Sequence, residues 1–73
     1  MPRKSPQLKI LGDTIRHYRK QAGLSQEKLA EKADLSTTFI SDLERGQVNV
    51  AVDSLLRIAH ALGVQVRDII KDF

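Results

Sequence analysis

Two short apolar stripes, one on either side of a single tripeptide, constrain this chain more than any other feature. Leu29, Ala30 and Ala33 recur at helical spacing before Asp34-Leu35-Ser36, and Phe39, Ile40 and Leu43 do so after it. Ser25 and Ser36 stand where N-caps belong, since a hydroxyl there can accept from an unpaired N–H of the first helical turn. Gly46 offers the left-handed residue that ends the second stripe. Two helices of about two turns each, joined by a turn of about three residues, describe a helix-turn-helix, whose second helix can enter the major groove of DNA.

The flanks carry the same period. Leu8, Leu11, Ile15 and Tyr18 form one stripe, with Lys9, Asp13, Arg16, Arg19 and Lys20 on the other faces, so an amphipathic first helix precedes Gly23. Gly12 blurs where that helix begins, because glycine weakens a helix interior. Residues 47–51 read as a loop. Val52, Leu55, Leu56, Ile58, Ala59 and Leu62 then give the stripe of a fourth helix closed by Gly63, and Val66, Ile69, Ile70 and Phe73 support a short fifth helix whose N-cap, Gln65, is a poor one. No long segment alternates with period two, so the expected class is all-α, a five-helix domain. Residues 1–6, with Pro2 and Pro6 around Arg3, Lys4 and Ser5, read as a flexible basic arm. Residues 7–73 read as the domain, with the helix-turn-helix at about 25–46.

A chain of 73 residues has room for one such unit. It has no cysteine, so disulfide staples, thiolate metal sites and thiol catalysis are out, and stability must come from packing, helped by dimerisation. The longest apolar run, Val50 to Val52, is far too short for a membrane span or a secretion signal, and a cytoplasmic protein is expected. Twelve Lys and Arg against nine Asp and Glu give a net charge of +3. The excess is local: residues 1–20 carry six basic side chains and one acidic one, residues 21–46 three and five, and residues 47–73 three and three.

Catalysis has no support in this sequence. His17 and His60 lack partners at metal-ligand spacing, Asp13 and His17 at i, i+4 read as surface charge patterning, and Ser54 and His60 lie on different faces of one helix. No glycine-rich phosphate loop is present. Neither cofactor, metal nor small-molecule ligand is expected.

The segment LSQEKLAEKADLSTTFISDLERGQ resembles the Cro and phage-repressor type of helix-turn-helix, the XRE-like family. Gln26 opening one helix, small Ala30 at the crossing, Ile40 and Leu43 as anchors, and Leu43-Glu44-Arg45-Gly46 closing the next helix match its pattern. Residues 15–20 and 55–64 fall at that family's positions for helices one and four, so the resemblance covers about residues 8–70. It implies a DNA-binding transcriptional regulator; a module this small has little surface to spare for polymerase, which favours a repressor over an activator, and a homodimer suits a palindromic operator. It implies further that Thr37, Thr38 and Asp42 read bases with Ser41 beside them, and that Gln26, Ser36, Phe39, Arg45 and Asn49, with the amides near Val50 and Ala51, touch the DNA backbone. Arg19 and Glu44 hold positions that form a salt bridge in the family. Two departures stand out: Val50 and Ala51 replace the usual proline and hydroxyl residue before helix four, and Asp34 stands where glycine is usual in the turn.

Residue chemistry fits these roles. Threonine offers a methyl to thymine and a hydroxyl to either base type, and aspartate can accept from cytosine N4. Phe39 is placed either to touch a thymine methyl or a sugar or to pack inward. Arg3, Lys4 and Lys9 either reach the DNA or form a solubilising tail. Val66, Ile70 and Phe73 offer more apolar surface than a two-turn helix can hide on its own bundle, which designates them as the dimer interface. The competing class is a protein-interaction module on the same scaffold, such as an antitoxin or a coactivator-like bridge.

Overall fold

The computed structural model describes residues 6–71. Five helices follow in order, α1 (Pro6–Gln21), α2 (Gln26–Ala33), α3 (Thr37–Glu44), α4 (Val52–Leu62) and α5 (Val66–Ile70), with no strand among the described residues. Arg3, Lys4 and Phe73, assigned to the arm and the dimer surface above, lie outside the described residues. The first helix opens at Pro6, one residue before the expected start, where the missing N–H of proline has no intrahelical partner to lose. Lys9 belongs to this helix and pairs with Asp13 at 2.7 Å, so it is not part of an arm.

The caps of α2 and α3 are the expected serines. Ser25 Oγ accepts from Lys28 N at 2.9 Å and Ser36 Oγ from Phe39 N at 3.0 Å. Between the two helices Asp34 takes the left-handed conformation, φ 58° and ψ 49°, and Leu35 N donates back to Ala30 O at 2.8 Å. Aspartate tolerates that region better than most residues, so the turn survives without glycine. Arg57, reaching across from α4, also donates to Asp34 O at 3.3 Å.

Each helix contributes to one core. Ile15 from α1, Leu29 from α2, Ile40 and Leu43 from α3, Ile58 from α4 and Ile69 from α5 are all buried, and each such side chain is worth about 1.5 to 3 kcal/mol on transfer from water. Ala30 is buried on α2, α2 packs against α3 and α4, and α1 lies on α3.

The structure revises three expectations. Gly12, which blurs the start of α1 in the sequence, sits in the helix interior against α3, where an added Cβ would meet Leu43 O at 2.4 Å and Glu44 O at 2.6 Å. Val52 and Leu56 do not join the core stripe of α4: they are 72% and 53% exposed, while Leu55, Ile58, Ala59 and Leu62 point inward. Third, α5 is capped although Gln65 is a poor cap residue, because Asp68 Oδ2 accepts from Gln65 N at 3.0 Å. Helix α4 lacks any side-chain cap at Ala51, as its sequence indicates.

Candidate nucleic-acid interface

Helix α3 divides into two faces. Ile40 and Leu43 are buried, while Thr37 and Thr38 are exposed and Ser41 and Asp42 are partly so. Successive positions on a helix are offset by about 100°, and the apolar pair thereby turns the four polar side chains outward together. Phe39 resolves toward packing: it is half-buried against the core, which leaves part of its edge at the surface.

A buried carboxylate at the far end of α3 sets the pose of this face. Glu44 is 1% exposed, an unusual fate for a glutamate, and it is fully partnered. Arg19 donates from Nε to Glu44 Oε2 at 2.6 Å and from Nη2 to Oε1 at 3.1 Å, a two-bonded fork, while its Nη1 donates to Leu24 O at 2.8 Å. Gln26 Nε2 adds a bond to Glu44 Oε1 at 3.0 Å, and Arg16 Nε stands 3.8 Å from the same oxygen. The ion pair named in the sequence is therefore present, and it is buried rather than exposed. One carboxylate ties α1, the approach to α2, and α2 itself to the end of α3. It also removes a negative charge from the surface, so the acidic balance of residues 21–46 overstates what a polyanion would meet.

The residues expected at the DNA backbone fall into two groups. Ser36 and Arg45 flank α3 at its two ends, and the Ser36 hydroxyl, although it accepts from Phe39 N, keeps its own proton to donate. Gln26 and Asn49 already hold partners: Gln26 is bonded to Glu44, as above, and the exposed Asn49 accepts through Oδ1 from Val50 N at 2.9 Å. Gln26 keeps one carboxamide N–H and Asn49 both of its own, so these bonds orient the groups without exhausting them. Arg45 donates from Nη2 to Asp42 Oδ1, one turn back on the same helix.

The exposed flank of α2 carries an ion pair of its own. Lys28 and Glu31 meet at 2.9 Å, and their hydrogen bond raises the lysine above its usual pKa and lowers the glutamate below its own. Among the described residues no group of three His, Cys, Asp or Glu could hold a metal ion, and no helix is long and apolar enough to cross a membrane.

Sequence reasoning missed Gly12, Arg57 and the inward bond of Gln26. Gly12 lies four residues after Leu8 and three before Ile15, on the packed side of α1, but nothing local reveals that backbone from another helix fills the space of its missing side chain. Arg57 touches a turn 23 residues away, a relationship without a signature in the local pattern.

The fold and this site define a helix-turn-helix protein, with α2 and α3 as its two signature helices. Residues 15–69 match the helix-turn-helix family HTH_3, and the chain belongs to that family. It is similar to the control protein C.BamHI of Bacillus amyloliquefaciens, 45% identical over 62 residues that make up 84% of this chain and 76% of the relative. The immunity repressor of Bacillus phage phi105 is 42% identical over 60 residues, which span 82% of this chain but only 42% of that protein. Among solved structures, the restriction-modification controller protein C.AhdI from Aeromonas hydrophila superposes with a TM-score of 0.88 at 35% identity, over 89% of this chain and 98% of the controller. The protein is a DNA-binding regulator of this family and not an enzyme.

Proposed function

We propose that the chain is a transcriptional repressor that reads a palindromic operator as a homodimer, with α3 of each copy in the major groove. Thr37, Thr38, Ser41 and Asp42 meet base edges. Ser36, Arg45, Asn49, the exposed part of Phe39 and the remaining N–H of Gln26 meet the sugar-phosphate backbone. The observation that carries this reading is the outward polar face of α3, held at a fixed angle by the buried Glu44 with Arg19 and Gln26. Such a face has no use in the packing of the monomer, whereas base readout requires rigid placement of short side chains. The similarity to named control proteins and an immunity repressor supports the regulatory role.

Dimerisation is the second half of the proposal. Of the three residues first assigned to it, Val66 is half-buried against the core, Ile70 is 38% exposed and Phe73 lies outside the described residues. Val52 and Leu56 are the most exposed large apolar side chains among the described residues, one turn apart on α4, and we assign them to the dimer surface together with Ile70. Two-fold symmetry then sets half-sites about 10 bp apart or a multiple of it.

Replacing Thr37 and Thr38 together by alanine tests the assignment of α3. Both side chains are exposed, so the fold is unaffected, and fluorescence anisotropy should show the preference for one duplex over scrambled DNA falling toward unity. A preference that survives this double substitution would place readout elsewhere.

A further inference from the structure

We propose that Asp42 and Arg45 act as a coupled pair that makes one phosphate contact conditional on one base. This rests on the reading of α3 as the groove-facing helix. Asp42 lies one turn after Thr38 and Arg45 one turn after Ser41, so both charges continue the two polar stripes assigned to base edges. Glu44, the other acidic residue of α3, is buried beneath Arg19 and does not compete, which leaves Asp42 as the one surface carboxylate of this helix. Arg45 donates to it, with the two side chains 60% and 30% exposed for arginine and aspartate. In the free protein the groove-facing part of the helix is thus electrically neutral.

The DNA changes the competition for each partner. A carboxylate near the groove floor meets the negative potential of the phosphates and is stable there only against a donor. In the major groove the donors are exocyclic amines, and N4 of cytosine is the partner aspartate suits best. On a site that presents this amine, Asp42 accepts from the base and releases Arg45, whose planar fork suits a phosphate. On a site without it, Asp42 keeps Arg45, and that phosphate loses its cation. Sequence and backbone readout are thereby linked: a wrong base costs a hydrogen bond and also an ionic contact.

The linkage has a signature in salt dependence, because each neutralised phosphate adds about 0.9 to the slope of log affinity against log salt. The probe is the duplex that the protein itself enriches from a random pool, together with the duplexes in which each C·G pair facing α3 is replaced in turn. For the unsubstituted protein, one replacement should lower affinity by about tenfold or more and reduce the slope by about 0.9 per half-site. Asp42→Ala should remove both effects, by strengthening binding to the replaced duplex and making the two slopes equal. Asp42→Asn, which keeps the shape, should also equalise the slopes. Arg45→Ala should keep the base preference of Asp42 but lose the difference in slope. If Asp42→Ala left discrimination intact at every position, or if the slope difference persisted in Arg45→Ala, the coupling would be wrong while the regulator reading stood. Absence of any enriched duplex for the unsubstituted protein would overturn the regulator reading and the coupling with it.

Discussion

A Cβ atom built on Gly12 would lie 2.4 Å from the carbonyl oxygen of Leu43, and backbone of α3 therefore occupies the volume of the missing side chain. No real Cβ makes so short a contact, and a carbonyl in a helix cannot step aside as a flexible side chain does. Gly12→Ala must push α1 away from α3. Overpacking costs about 1 to 3 kcal/mol, and alanine's better helix propensity returns about 1 kcal/mol. The expected net loss of up to about 2 kcal/mol would lower the melting temperature by about 4 to 8 °C per kcal/mol in a domain of this size. A thermal melt followed by circular dichroism checks it, and DNA affinity should fall even well below the melt.

Glu44→Gln tests the buried network. The substitution keeps the shape but strips the counter-charge from Arg19, whose side chain is only 11% exposed. Removing one partner of a buried ion pair costs about 3 to 5 kcal/mol, a large share of the ~4 to 11 kcal/mol available to a domain of this length. Urea denaturation should therefore show a sharply lower midpoint. Arg16→Ala, at the exposed rim of the same carboxylate, should change the midpoint by less than about 1 kcal/mol in equivalent stability.

At the turn between α2 and α3, Asp34 sits at φ 58°. Alanine at this angle is strained by about 1 to 2 kcal/mol, so Asp34→Ala should destabilise by about that much, whereas Asp34→Gly should equal or exceed the natural chain. Parallel melts of the two variants decide whether conformation or the 3.7 Å ion pair of the Asp34 carboxylate with Arg57 governs the turn. If glycine proved as harmful as alanine, the Arg57 contact would be the dominant element.

Leu56 is 53% exposed and Val52 72%, with no structural reason for either to be apolar in a monomer. Leu56→Glu should leave the melt of dilute protein nearly unchanged and shift the mass measured by light scattering from dimer to monomer. It should also weaken operator binding while leaving the affinity of each half-site much as before. A dimer that persists with glutamate at this position would move the interface away from α4.

Much of this architecture was legible in residue spacing. Ser25 and Ser36 announced the starts of α2 and α3, Gly46 the end of α3, and Val52 and Gly63 the limits of α4, because caps and terminators act through local hydrogen bonds and local φ. The buried pair of Arg19 and Glu44 was legible only through family resemblance, since 25 residues separate its members. Three features stayed hidden for a shared reason. The role of Gly12 depends on the path of another helix, and the exposure of Val52 and Leu56 depends on which part of a wide apolar stripe the neighbouring helices cover. Gln26 turns toward Glu44 because α3 brings that carboxylate to it. Local periodicity reports the first neighbours along a helix and carries no information about what packs above it.

Everything proposed for this regulator turns on α3 reading DNA sequence. The most direct measurement is selection from a randomised duplex pool at low and near-physiological salt, with sequencing of the retained fraction. The account predicts a palindrome enriched at both salts, with half-sites about 10 bp apart or a multiple of it, and loss of that enrichment in the Thr37→Ala, Thr38→Ala double variant. Retention of DNA only at low salt and without preferred sequence would contradict it, since phosphate attraction alone behaves that way.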